Sequence, residues 1–319
     1  MAESPVDKPV KIFLAISGAT LLFALMNLFV KLAAETHSIP QVMFFRSGIG
    51  MIPVIWLITR RRAFTLFKTN HFAGHFVRSF VGFFSMCCIF WAFKMLPLAN
   101  ATAILFASPL ILTSLSVLLL DEKVGPHRWT AVVIGLAAVL FMLQPAGDGN
   151  PLGSIIAMCA AILVAFAMIA VRKLSKTEHS LTIVFYFSGL CTVMSGAWML
   201  ATWTTPSALS LFYLVMTGLL GGSAQVGLTY AYTKAPAAYV SAFSYFGIIF
   251  AAGLDFIIWQ IVPVWQIWLG SPIVIGAGLY IVWRETKKKY PPLATGAVDL
   301  DGSGPEAPME KDKKDDYAI

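Results

Sequence analysis

Charge is what this sequence has least of. Asp, Glu, Lys and Arg make up 12% of its 319 residues, about half the roughly 25% usual in soluble domains. Acids are the scarcer sign, 16 against 23 Lys and Arg. Apolar runs of roughly 20 residues recur between Lys11 and Trp283, the length a helix needs to cross a bilayer. Strand-like alternation is also missing, which sets aside a transmembrane barrel. Cysteine is sparse and unclustered: Cys87, Cys88, Cys159 and Cys191 all fall inside apolar runs, with no CxxC. They read as small buried hydrophobes rather than metal or redox ligands. No HExxH, GxSxG or P-loop occurs, so neither an enzyme nor an ATP-driven pump is indicated, and no cofactor is expected.

What is present is a polytopic, all-α membrane pattern with a mean hydropathy of +0.77. Polar breaks delimit ten candidate spans: 11–34, 40–59, 72–94, 97–120, 127–144, 152–172, 180–202, 207–232, 236–260 and 264–283. The first run lies behind Lys8 and Lys11. It is too long for a signal-peptide core and has no small-residue cleavage site, so it reads as a span. The net charge of +7 is a topology signal rather than a nucleic-acid footprint. Alternate connections collect Arg60, Arg61, Arg62, Lys68, Lys123, Arg128, Arg172, Lys173, Lys176 and Lys234, whereas the others hold only Lys94. That excess places both termini in the cytoplasm and the chain in the cell membrane. Residues 286–319, ending DGSGPEAPMEKDKKDDYAI, are too polar to bury a core and read as a disordered cytoplasmic tail.

The chain also repeats itself. KMLPLANAT (from Lys94) matches TKAPAAYVS (from Thr233), aligning Pro97 with Pro236 and Gly82 with Gly221. FFRSG (from Phe44) matches FYFSG (from Phe185), and Lys31 falls opposite Arg172; the offset stays at 139–141 residues. Two copies of five spans are implied, at 11–145 and 150–285, after a short cytoplasmic N-terminus (1–10). An odd span number turns the second copy upside down, an arrangement that places a solute site near the midplane between halves.

The stretch LPLANATAILFASPLILTSLSVLLLDEKVGPHRWTAVVIGLAAVLFML (Leu96 to Leu143) and the ending GLYIVWRE (from Gly278) resemble the EamA family of the drug/metabolite transporter superfamily. LLFALMNLFVKL, PQVMFFRSGIG and VRSFVGFFSM are most similar to a bacterial subgroup of it. The resemblance implies a single-chain carrier working by alternating access, usually in the bacterial inner membrane. Subgroup members are assigned to uptake of S-adenosylmethionine or riboflavin, and some animal carriers of organic anions are similar. Many relatives carry Gly-Glu at the end of span nine, where this chain has Trp259-Gln260.

Polar residues inside apolar runs are the candidates for solute contact. Arg46 lies about six residues into span two, on the order of 9 Å deep, and Arg78 is similarly deep in span three. A lipid-facing arginine costs at least about 2.5–3.5 kcal/mol, so both are expected to face a polar path and to bind a carboxylate or phosphate. Asn27 and Lys31 share a face of span one. Gln225, Thr229 and Tyr232 form a stripe on span eight, with Tyr230 beside it, while Tyr239, Ser241, Ser244 and Tyr245 offer hydroxyls on span nine. Asp255, the acid within span nine, is the candidate proton acceptor for coupled transport; its alternative role is an ion pair with Lys31 or Lys94 or an interfacial carboxylate. Gly218, Gly221, Gly222 and Gly227 mark close helix packing, and Pro109 is expected to kink span four.

Together these predict a secondary or facilitative carrier of a small anionic or zwitterionic metabolite, such as S-adenosylmethionine, riboflavin, an organic acid or an amino acid. The expected partners are that solute and the lipid bilayer, with no nucleic acid. Homodimerisation is left open. The alternatives are a non-transporting scaffold or sensor and a membrane-embedded lipid-modifying enzyme.

Overall fold

A computed structural model describes residues 7–60, 62–119, 126–142, 150–234 and 246–287, and among these residues there is no strand. The first half supplies α1 (Asp7–Thr36), α2 (Ile39–Arg60), α3 (Phe72–Met95), α4 (Leu98–Leu105), α5 (Ser108–Leu119) and α6 (Pro126–Met142). The second supplies α7 (Pro151–Leu174), α8 (Ser180–Met199), α9 (Ala208–Lys234), α10 (Phe246–Trp259) and α11 (Trp265–Lys287). The tail from 288 onward, residues 1–6, and Tyr239, Ser241, Ser244 and Tyr245 lie outside the described residues. Six helices (α1, α2, α3, α7, α8 and α9) are long and apolar enough to cross a bilayer unaided. α6 and α10 are shorter apolar helices.

Span four is two short helices rather than one. Pro109 offers no N–H, and its ring would clash with the carbonyl of Leu105 one turn back. The chain therefore breaks at Phe106 and Ala107, where Ala107 N–H donates to Ile104 O at 2.9 Å and Leu110 N–H to Ala107 O at 3.0 Å. The expected kink is a full break, one turn before the proline. The starts of α7 and α8 are capped locally. Asn150 Oδ1 accepts from Gly153 N–H at 3.1 Å, ahead of Pro151, and His179 Nδ1 accepts from Leu181 N–H at 3.1 Å.

The packing carries the repeat into three dimensions. α1 packs on α9 and α3 on α7; α2 packs on α9 and α3 on α8; α1 packs on α10, and α4 and α5 on α7. Exchanging the halves turns each member of those pairs into the other. The contacts α2–α8, α4–α10 and α6–α11 map onto themselves. This is the contact set of two copies related by a two-fold axis. Close approach comes from small residues: Ala157, Ala160, Ala161 and Ala165 of α7 are fully buried. Outward faces stay greasy, with Leu140, Val193, Ile249 and Ile257 more than half exposed. A surface of that kind belongs in lipid.

Candidate functional site

α2 and α3 of the first half meet α8 and α9 of the second at the centre. Glycine sets the α2–α9 crossing. A Cβ on Gly222 would come within 2.6 Å of Gly50 O, and one on Gly218 within 2.7 Å of Phe45 O. The two backbones therefore touch directly, which only residues without side chains permit. Beside the crossing is a cavity lined by Arg46 and Gly50 of α2, Val184, Phe187 and Ser188 of α8, and Gly221, Gly222 and Gln225 of α9. The space open to the centre of a water molecule is about 10 Å³, on the order of a single water. As the described residues line it, this space is too small for a metabolite.

Arg46 projects into that centre with its Nε buried and without a hydrogen-bond partner. Arg78 holds its Nε and Nη1 in the same state. Its guanidinium carbon sits 3.7 Å from the ring centroid of Phe187, well inside the range of cation–π attraction. Gly82, one turn beyond Arg78, leaves the room for this stack. A Cβ there would lie 2.5 Å from Arg78 Nη1 and 2.8 Å from the Phe187 ring. The two guanidinium groups are near enough to repel each other, and the buried thiol of Cys191 lies within electrostatic reach of both. Among the described residues no carboxylate pairs with either arginine. The site is rich in positive charge and short of an anion.

The repeat explains its composition. The offset that pairs FFRSG with FYFSG sets Phe187 in the place of Arg46, and the Gly82–Gly221 offset sets Thr217 in the place of Arg78. Gly82 lies against Phe187, and Gly221 lies near Arg46, with a would-be Cβ 3.6 Å from its Nε. Each half thus contributes the same scaffold, but only the first carries the charges. Sequence reasoning overlooked Phe187. Its signal was the residue standing opposite Arg46 in the repeat.

Two related sets of hydrogen bonds, here called latches, tie the halves together near the starts of α2 and α8. At the start of α2, Gln41 Nε2 donates to Thr204 O at 2.8 Å, Thr204 N–H donates back to Gln41 Oε1 at 3.2 Å, and the Ser38 and Thr202 hydroxyls are 2.9 Å apart. At the start of α8, the repeat counterpart Thr182 donates its hydroxyl to Leu66 O at 3.0 Å. Beside it, Tyr186 Oη donates to Phe67 O at 2.9 Å, and Thr69 Oγ1 to Glu178 Oε1 at 2.6 Å. Glu178 is 3.7 Å from fully buried His75, whose ring stacks on Tyr186. In both places the second helix of one half holds the loop that follows the second helix of the other.

Of the remaining sequence candidates only Gln225 is seen, among the described residues, to line the cavity. Lys31 Nζ donates to Leu96 O at 2.9 Å, lies 3.8 Å from Asp255 Oδ1 and stands 4.6 Å from the Trp259 ring centroid. Asp255 is completely buried and accepts from Ala99 N–H at 2.8 Å, at the start of α4, where a carboxylate is favoured by the exposed amides and the helix dipole. Lys31 and Asp255 therefore tie α1, α10 and the α3–α4 turn together. Asn27 is half-buried on α1, next to Met26, whose sulfur fills the space over Gly221. Thr229 and Tyr232 lie further along α9, with side chains outside the described set, as is all of Tyr245.

The EamA-like transporter family model matches the chain twice, at residues 10–144 and 151–284. A pseudopaline exporter, CntI, from Pseudomonas aeruginosa (strain UCBPP-PA14) is 29% identical over 267 residues, 83% of this chain and 90% of that protein. A riboflavin transporter of Vibrio cholerae is 27% identical, covering 85% and 92%. An S-adenosylmethionine uptake transporter of Rickettsia prowazekii is 28% identical, covering 80% and 86%. A chain of known crystal structure, 16% identical, superposes with a TM-score of 0.59 over 88% of this chain and 99% of its own, a likeness of fold alone. With a doubled family match over nearly all of its helices, this chain belongs to the EamA-like transporter family, as a multi-pass membrane transporter of small molecules and not an enzyme.

Proposed function

We propose that the protein carries a small anionic or zwitterionic organic metabolite across the membrane by alternating access, binding it between α2, α3, α8 and α9. One observation carries this reading: the buried, unpartnered Nε of the Arg46 guanidinium at the cavity between the halves. Guanidinium keeps its proton at any physiological pH. An uncompensated buried charge costs several kcal/mol, so a site of this kind is stabilised by an incoming carboxylate or phosphate, which it can hold in bidentate fashion. Arg78 adds a second charge and, with Phe187, a flat wall suited to a conjugated or ring-bearing solute. The names of the relatives widen the candidate solutes to pseudopaline, riboflavin and S-adenosylmethionine. Riboflavin brings an extended π system and S-adenosylmethionine a carboxylate. The two domains of the carrier are the repeats at 11–145 and 150–285, and the charge excess orients both termini to the cytoplasm of a bacterial cell.

In this scheme the two latches alternate. Breaking the Gln41–Thr204 pair opens the centre toward one side, and breaking the Thr182–Leu66 cluster opens it toward the other. Asp255 is the acid through which a proton could act, because protonating it would release Lys31 and the start of α4. The test is uptake of labelled organic anions, including riboflavin and amino acids, by vesicles holding purified protein. Arg46→Ala is expected to cut transport about 100-fold, equivalent to roughly 2.7 kcal/mol, and Arg78→Ala about ten-fold. Unchanged flux of the true solute in both variants would remove the anion site.

A further inference from the structure

We propose that the cavity beside Arg46 also binds a monatomic anion, chloride in practice, which occupies the carrier when it closes without its organic solute. The argument starts from charge and size together. Arg46 and Arg78 hold two positive charges in the middle of the bundle, and three of their N–H-bearing nitrogens are buried and unsatisfied. Neither group can neutralise itself by losing a proton, and among the described residues no carboxylate neutralises them. Among the described residues, the buried thiol of Cys191 also lies within reach of both.

The cavity, as the described residues line it, is open to a water-sized centre over about 10 Å³. Among those residues it leaves no room for an organic carboxylate or phosphate beside Arg46. Water fits but brings no charge. A halide is only a little larger than water, carries the missing negative charge, and imposes no bond geometry on its donors. Ser188 lines the same space and brings a hydroxyl of the kind that donates to such an ion. The space too small for the metabolite is thus the one shaped for a single ion.

The consequence is kinetic. A carrier that returns with chloride in place of its solute exchanges one anion for another, so chloride on the releasing side accelerates turnover and chloride on the loading side competes. This inference shares the guanidinium of the proposed solute site but does not depend on which solute is carried.

The experiment is a thermal melt of the purified full-length protein in detergent, with sodium chloride replacing sodium gluconate at constant ionic strength. The expected result is a saturable rise in Tm with chloride, reproduced by bromide and not by sulfate, because a ligand that binds only the folded state stabilises it by mass action. Arg46→Ala should abolish the rise. Arg78→Ala should weaken half-saturation roughly ten-fold, as expected when one of two nearby charges is lost. Equilibrium binding of radioactive chloride to the wild type checks the same claim without any variant. No saturable chloride binding by the wild type, or an undiminished response in Arg46→Ala, overturns the inference. If chloride fails to bind while Arg46→Ala still loses organic-anion flux, the solute reading stands and only the halide site falls. If chloride binds but no organic anion is moved, the reverse holds.

Discussion

Arg46 and Phe187 stand at equivalent positions of the two repeats, and their difference makes the site asymmetric. A symmetric pair of arginines would place like charges face to face across the axis. Replacing one by an aromatic ring instead supplies a platform, on which Arg78 rests at 3.7 Å. The second residue-scale feature is Asp255, which is fully buried while the Lys31 side chain is 12% exposed. Removing one partner of such a pair strands the other charge, at a cost of about 3–5 kcal/mol. Asp255→Asn is therefore expected to lower unfolding stability by several kcal/mol, measured by SDS titration in mixed micelles, with Lys31→Met restoring part of the loss. The same variant also tests proton coupling. An identical dependence of uptake on the pH gradient in Asp255→Asn and wild type would show that this carboxylate serves only to hold α4. The depth of Arg46 and Arg78 was legible in the sequence, because an arginine within an apolar run is conspicuous. What surrounds them was not, since Phe187, Gly82 and Cys191 are unremarkable residues in a membrane helix until the fold brings them alongside.

At the scale of helices, contact distance decides which glycines matter. Gly222 faces the Gly50 backbone, whereas a Cβ on Gly253 of α10 would meet nothing within 4 Å. Gly222→Ala must push backbone against backbone, and overpacking of that kind costs roughly 1–3 kcal/mol. Gly253→Ala should be neutral or slightly stabilising, as alanine is the better helix former. A parallel melt of the two variants checks the contrast, and equal Tm values would refute a glycine-set crossing. The sequence pattern around Gly218 and Gly222 pointed to close packing but could not name α2 as the neighbour. For Pro109 the location of a break was readable from the missing N–H. Its extent, two separate helices with Phe106 and Ala107 between them, required knowing how the turn is satisfied.

For the whole molecule, the related latches make a claim about motion. Neither end can open while its loop stays tied to the opposite half. In a cysteine-free background, a disulfide between Ser38→Cys and Thr202→Cys should hold one end shut. A disulfide between Thr69→Cys and Glu178→Cys should hold the other. Each is expected to stop net transport in vesicles until reductant is added. Full flux through either oxidised protein would rule out the latches as gates.

The sequence alone determined the class of molecule, its all-helical make-up and the doubling of the chain. These follow from hydropathy, loop charge and a constant offset, all of which are local or one-dimensional. Only the tertiary structure decided that Phe187 backs Arg78, that Lys31 serves Asp255 and Leu96 rather than the cavity, and that Gln41 and Thr182 each hold a loop of the other half. Each of these joins residues from different segments of the chain, at least 65 positions apart. Which helix faces meet is set by packing of small residues and by the need to satisfy buried polar groups, and neither leaves a mark at short range in the chain.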